Sequence, residues 1–162
     1  MHAGGETCAA GAVVVATNAY TAELLPQVDI DPNRAQMLAT EPDRTRVAEH
    51  PTYSHHGYRY WRQMPAGEVL IGGWRDTSPG TERTSDAEPT TTIQAHLDEA
   101  VLRLGVRGRA THRWAGIMGF TKTGLPLVGP VEGMKNVYVC AGFNGHGMGF
   151  AFMSARALVD SL

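Results

Sequence analysis

The rhythm of apolar and polar positions changes several times along these 162 residues. Residues 11–16 (GAVVVA) form a continuous apolar run, the pattern of a strand buried on both faces in a parallel sheet. Thr17 and Asn18 offer N-cap chemistry for a short helix over Ala19 to Leu25, which Pro26 ends. Residues 34–40 then alternate, and Pro42 closes them. The aromatic stretch 57–63 (GYRYWRQ) alternates with basic and polar residues, Pro65–Gly67 makes a turn, and 68–72 (EVLIG) returns. This predicts an antiparallel hairpin with one wet and one dry face. Residues 76–90 are polar and contain Pro and Gly, which predicts a loop. Ile93, Leu97, Val101 and Leu104 fall on one face of a helix over 91–104, with Thr91 or Thr92 to cap it and Gly105 to end it. A strand over 109–120 follows, with Trp114 and Ile117 expected in the core and Gly116 and Gly119 permitting a bend. Pro126 and Pro130 bracket a short segment. The chain closes with an apolar run (137–141), a loop with glycines at 142, 145, 147 and 149, and a small-residue helix.

Two styles of structure therefore alternate. The fold class expected is α+β: a central antiparallel sheet with one helix, flanked by terminal α/β pieces of an incomplete second domain. The boundaries predicted are 1–33, 34–122 and 123–162. A helix opening directly from a glycine loop presents free backbone N–H groups and partial positive charge to an anionic or electron-rich ligand. Its glycines let that ligand approach the backbone. A dinucleotide-binding βαβ reading needs a further strand after this helix, and none follows. The loop is expected to complete a site built mostly by something else.

Composition narrows the function classes. An apolar fraction of 43% and a charged fraction of 19% are those of a globular domain. A net charge of −2 favours neither nucleic acid nor an acidic membrane surface. No apolar stretch approaches the ~18–20 residues that cross a bilayer, and no basic-then-apolar leader opens the chain. Cys8 and Cys140 sit in apolar runs and are expected to be small buried thiols in a reducing cytoplasm. The seven histidines, His55–His56 adjacent and the rest scattered, lack a ligand spacing, so no metal is expected. Neither a G-x-S-x-G nucleophile turn nor a Walker loop occurs.

Three stretches carry a family resemblance: VVVATNAYTAELLP (13–26), HRWAGIMGFTKTGLPLVGP (112–130) and AGFNGHGMGFAFMSARALVDSL (141–162). Together they resemble the C-terminal half of FAD-dependent oxidoreductases of the D-amino-acid oxidase, glycine oxidase and sarcosine oxidase type. The likeness extends to the bacterial branch that includes gamma-glutamylputrescine oxidase. The resemblance implies an FAD-binding role for the terminal pieces and a substrate-binding role for the centre. Family members open with a strand and a G-x-G-x-x-G turn for the FAD diphosphate, and no such segment exists in these residues. A missing N-terminal half, or self-association in its place, is therefore an expected partner.

The same resemblance assigns site residues. Thr17 and Asn18, the strand residues Gly116, Ile117 and Met118, and the loop residues Asn144, Gly145, His146, Gly147, Met148 and Gly149 would contact the flavin. FAD would be non-covalent, because that strand has no cysteine, and this chain alone is not expected to retain it. Relatives acting on amino acids place an arginine near Met118; methionine there points to an amine, unless Arg62, Arg75 or Arg113 supplies the charge. Tyr60, Arg62, Trp74 and Arg75 are the expected substrate contacts, aromatic walls suiting an amine through cation–π contact. No catalytic side chain is assigned. The activity implied is oxidation of an amine or amino-acid C–N bond to an imine by hydride transfer to flavin. The rival expectation is a truncated, non-catalytic binding or assembly module that lacks the diphosphate site and is inactive alone.

Overall fold

In the computed structural model, which describes residues 2–162, the strands in chain order are β1 (His2–Ala3), β2 (Glu6–Thr7), β3 (Val13–Val15), β4 (Asp31–Thr40), β5 (Thr52–Ser54), β6 (Arg59–Gln63), β7 (Val69–Gly73), β8 (Ala110–Phe120), β9 (Leu127–Pro130) and β10 (Val137–Ala141). The helices are α1 (Thr21–Leu24), α2 (Pro79–Glu82), α3 (Thr91–Arg103) and α4 (Gly147–Val159). The chain divides into two units: residues up to Pro32 together with Met118–Leu162, and Asn33–Ile117.

The first unit is built on β10. Its Val-Tyr-Val-Cys-Ala sequence is apolar toward both faces, which suits a central strand. β10 runs parallel to β3 and antiparallel to β9, giving the order β3-β10-β9. Val15, Leu25, Ile30, Val131, Val139 and Ala141 form its core. β3 is an edge strand, so only Val15 of its three valines is buried and Val14 is 43% exposed. The expectation of burial on both faces fails there because a second neighbouring strand is absent among the described residues. Residues 19–25 form a single-turn 3-10 segment (Asn18–Tyr20) and then α1, and Thr17 makes no side-chain cap. Cys140 is buried as expected, but Cys8 is exposed, beyond the short β1–β2 ladder. α4 buries Leu158 and exposes Met148, Phe150, Phe152, Met153 and Val159. Each such side chain forgoes roughly 1.5–3 kcal/mol of burial.

The second unit holds a sheet ordered β5-β6-β7-β4-β8, in which β5–β6, β6–β7 and β7–β4 pair antiparallel. α3 lays Ile93, Leu97, Ala100 and Val101 against Leu38, Val69 and Ile71. It ends where Gly105 turns left-handed (φ 71); the Gly105 N–H bonds to the Leu102 carbonyl and the Val106 N–H to the Val101 carbonyl. Thr90, not Thr91 or Thr92, occupies the N-cap, and its hydroxyl does not cap: it accepts from Gln36 Nε2 (2.8 Å).

That diversion has a cause. The buried positions of β4 are Arg34, Gln36, Leu38 and Thr40, three of them polar. Arg34 grips Glu82 with two charge-assisted bonds (3.0 and 3.1 Å) and donates to the carbonyls of Thr81, Asp86 and Glu88. Gln36 donates to Glu82 (2.8 Å) and accepts from the Thr90 N–H (2.9 Å) and from Gln94 (3.2 Å). Every partner is satisfied, which is what makes a buried ion pair tolerable. The segment 76–90, expected to be featureless, is therefore organised: a 3-10 turn (Arg75–Thr77) and α2 carry Glu82 to Arg34. Trp114 is 38% exposed rather than in the core, because β8 is an edge strand and residues 111–114 are open to solvent; Ile117 is half-buried.

Candidate functional site

In the first unit, two asparagines from distant parts of the chain hold the glycine loop. Asn18, itself left-handed (φ 47), accepts the Gly142 N–H at 3.0 Å and the Phe143 N–H at 3.5 Å on its Oδ1. Asn144 (φ 54) is buried and used at both ends of its carboxamide. Its Oδ1 accepts the Thr121 N–H at 2.8 Å, and its Nδ2 donates to the Gly142 carbonyl at 2.6 Å. The Asn144 N–H reaches the Gly119 carbonyl at 2.9 Å. Asparagine tolerates the left-handed region better than other side chains, so these positions suit it twice over.

The glycines sort by their surroundings. A Cβ at Gly142 (φ 77) would meet Thr121 Cγ2 at 2.5 Å, and one at Gly119 would meet Ile30 Cγ2 at 2.9 Å and Asn18 Oδ1 at 3.0 Å. These two are glycine because their own unit presses on them. Gly149, in the first turn of α4, has no atom within 4 Å of a Cβ, and Gly145 (φ 80) meets only Met118 Sδ at 3.3 Å. Gly145, His146, Met148 and Gly149 are exposed. The bend is rigid on its inner side and open on its outer side.

His146 takes the N-cap position of α4, and its Nδ1 lies 2.9 Å from the Asn144 carbonyl. A carbonyl only accepts, so Nδ1 carries the proton and the ring is oriented by the loop. The first turn of α4 has no acidic residue; the Gly149 and Phe150 N–H groups bond back to the His146 carbonyl (3.0 and 3.3 Å), and helix geometry leaves those of Gly147 and Met148 without intrahelical acceptors. The residues fit an electron-rich ring edge: an open cradle at Gly145 and Gly149, unspent donors and no opposing carboxylate.

The structure separates the sequence-predicted residues by role. Asn18 spends its carboxamide oxygen on the loop and Asn144 spends its own on the Thr121 N–H, and Thr17 Oγ1 lies 3.2 Å from Thr21 Oγ1. Met118 lies beside Gly145 within the first unit. Gly116 and Ile117 fall in the second unit, Gly116 with open space at its Cβ position. Thr121, which the sequence reading missed, accepts from Asn144 Nδ2 at 3.3 Å and donates to the Leu125 carbonyl at 2.8 Å. Nothing in its local sequence announced this.

In the second unit, alternation along β6 puts Tyr60 and Arg62 on one face and Trp61 on the other, against the α3-side core. Tyr60 lies beside Met37 across Gly72, where any Cβ would collide with both side chains. A cleft of about 230 Å³ opens here between Met37, Tyr53, Tyr60, Arg62 and Leu70. Tyr53 and Tyr60 rings are 5.7 Å apart, and burial pushes the Tyr60 phenol above its usual pKa. Trp74 is not with them: it packs with Trp61 against the α3-side core, near-parallel to His96. Arg75 lies over the Tyr58 ring at 4.3 Å. Among the described residues no three His, Cys, Asp or Glu side chains gather to hold a metal, and no helix is long and apolar enough to cross a membrane.

Comparison with known proteins gives a consistent result. The profile of the FAD dependent oxidoreductase family matches residues 2–161. Glycine oxidase from Pseudomonas aeruginosa is 26% identical over 152 residues, 91% of this chain and 40% of that protein. Glycine oxidase from Geobacillus kaustophilus superposes with a TM-score of 0.77 at 20% identity, over 97% of this chain and 42% of its own. Iminodiacetate oxidase from Chelativorans sp. BNC1 does so with a TM-score of 0.75 at 15% identity, over 93% and 42%. The chain spans only 40–42% of the length of the curated relatives it matches.

Proposed function

The chain belongs to the FAD dependent oxidoreductase family, and on that premise we propose that it supplies flavin-ring and substrate contacts for oxidising the C–N bond of an amine or amino acid. The observation that carries this reading is the glycine bend at 145–149, braced from inside by Asn18 and Asn144 and open outside. The chemistry supplied by bound FAD is a two-electron oxidation, in which hydride loss from the carbon beside the substrate nitrogen leaves an imine. On this reading, residues 1–33 and 123–162 serve the cofactor and 34–122 serve the substrate.

The chain's own residues do the rest. The Gly145, Gly147 and Met148 N–H groups, with the partial positive end of α4, stabilise negative charge on the ring edge they face. Their fixed geometry costs no reorganisation when that charge appears, because Asn144 has already set it. His146 is oriented by the bond from its Nδ1–H to the Asn144 carbonyl, which leaves Nε2 uncommitted. Tyr60, a phenol that burial raises further above its ordinary value, offers its O–H as a donor to the substrate. Arg62, exposed at the end of the same β6 face, pairs with a substrate carboxylate where there is one. Met118 puts a thioether beside Gly145, which supports an amine over a simple amino acid.

Riboflavin, which has the ring and no diphosphate, tests the assignment. In ¹H–¹⁵N NMR of the chain, saturable shifts are expected at the amides of residues 145–149. Shifts confined to other residues would refute it. The exposed apolar face of α4 supports a second reading, an assembly module inactive alone that docks on a separate polypeptide or on itself. A monodisperse monomer by light scattering at high concentration would count against that reading.

A further inference from the structure

The second unit has a cleft on the α3 side of its sheet that the reading above does not use. It has a volume of about 420 Å³, within the usual range for a small-molecule site. Trp61, Trp74, Ala100 and Leu104 make its apolar floor. Arg59, His96, Glu99 and Arg103 stand around it.

Trp74 is the informative residue. Its backbone is left-handed (φ 64), which costs about 1–3 kcal/mol for a bulky side chain. It follows Gly73 (φ 123), where any Cβ would strike the Tyr58 carbonyl. The Trp74 N–H bonds to that same carbonyl at 2.8 Å, so the turn is fixed. The indole is only half-buried. Arg59 lies 4.6 Å over its ring and is itself clamped by both carboxylate oxygens of Asp76. His96 lies near-parallel to it, with planes 11° apart and centroids 6.5 Å apart. A strained backbone thus holds a flat aromatic surface in the wall of a cleft, beside two groups that also stack on planar partners.

The charge at the rim selects the ligand further. Of its charged lining residues, Arg59, Glu99 and Arg103, only the last two are open to exchange. Arg59 is committed to Asp76. Arg103 pairs with Glu99 at 2.7 Å in an i,i+4 contact that is 76% and 53% exposed. Such a pair is worth little and exchanges readily for another anion. We infer that this cleft binds a planar two-ring aromatic carboxylate, its rings on Trp61 and Trp74 and its carboxylate on Arg103.

The three tryptophans allow an internal control, since Trp114 does not line the cleft. The 162-residue chain is titrated with 2-naphthoate and, separately, with neutral 2-naphthamide, reading the three indole N–H signals by NMR. The Trp61 and Trp74 signals move on one common saturation curve, and Trp114 stays still. Arg103→Gln weakens 2-naphthoate about threefold, the size of an exposed ion pair, and leaves 2-naphthamide unchanged. The inference is overturned if Trp114 follows the same curve or if no saturation is reached below about 10 mM, a free energy too small for a built site. It is equally overturned if Arg103→Gln leaves 2-naphthoate binding as it was.

Discussion

Removing the Asn144 carboxamide tests how the glycine bend is held. Asn144→Ala deletes the acceptor of the Thr121 N–H and the donor to the buried Gly142 carbonyl. Each group left without a partner costs roughly 1–3 kcal/mol, the Thr121 end less because it is only half-buried. Alanine held at φ 54 adds about 1 kcal/mol that asparagine largely avoids. The expected loss is on the order of 3 kcal/mol, with Asn144→Gly losing about 1 kcal/mol less because glycine keeps the backbone conformation. The probe must report on the right unit. Trp61, Trp74 and Trp114 all lie in the second unit, so tryptophan fluorescence would miss the effect. Native-state hydrogen exchange at the Val139 and Ala141 amides of β10 reads the first unit directly. Loss of protection should follow the order Ala, Gly, wild type. A change below about 0.5 kcal/mol for Asn144→Ala, the scale of an ordinary surface substitution, would refute the claim that this side chain holds the loop.

Other consequences are equally direct. Glu82→Ala leaves the buried Arg34 guanidinium only the exposed Asp86 carboxylate at 3.6 Å and should cost the second unit about 3 kcal/mol in urea denaturation followed by tryptophan fluorescence, while Arg34→Met with Glu82→Leu recovers part of it. Gly149→Ala should stabilise α4 by up to about 1 kcal/mol while weakening riboflavin binding, because its Cβ would fill the open cradle. Gly142→Ala should destabilise the unit outright, since its Cβ meets Thr121 and its φ is positive. Asp43 is held below the ordinary carboxylate value of 3.8 by backbone hydrogen bonds, first from Arg107 and then from Thr45. The unfolded chain takes up that proton first, so this contribution to stability is full above about pH 3.8 and is lost as pH falls through the lower folded value. In acid titrations of the second unit, Asp43→Asn should flatten that slope.

The sequence pattern made some parts of this molecule legible. α3 announced itself through Ile93, Leu97 and Val101 and the stop at Gly105. The hairpin β6–β7 followed from alternation around Pro65–Gly67. The glycine bend was visible as an opening helix start. Periodicity was silent where polar side chains turn inward: the alternation of 34–40 did not say which face of β4 is buried, and Glu82 on α2 and Thr90 before α3 satisfy Arg34 and Gln36 inside. No local signal ties residues 48 and 54 positions apart. For the same reason the N-cap moved to Thr90 and the segment 76–90 acquired structure. Asn18 and Asn144 were picked out as candidate ligand contacts. Their role in bracing the bend was hidden, because the Asn18–Gly142 bond spans 124 residues. Trp114 was misplaced because an apolar residue in an alternating strand says nothing about whether the strand is central or at an edge.

The proposed function stands on the Gly145, Gly147 and Met148 amides facing a reducible ring and favouring its negative form. The direct measurement is riboflavin affinity for the chain in the oxidised state and, anaerobically, in the reduced anionic state. The reduced form should bind more tightly by roughly three- to tenfold, the worth of a helix start beside an anion. Equal or weaker binding of the reduced form would contradict it.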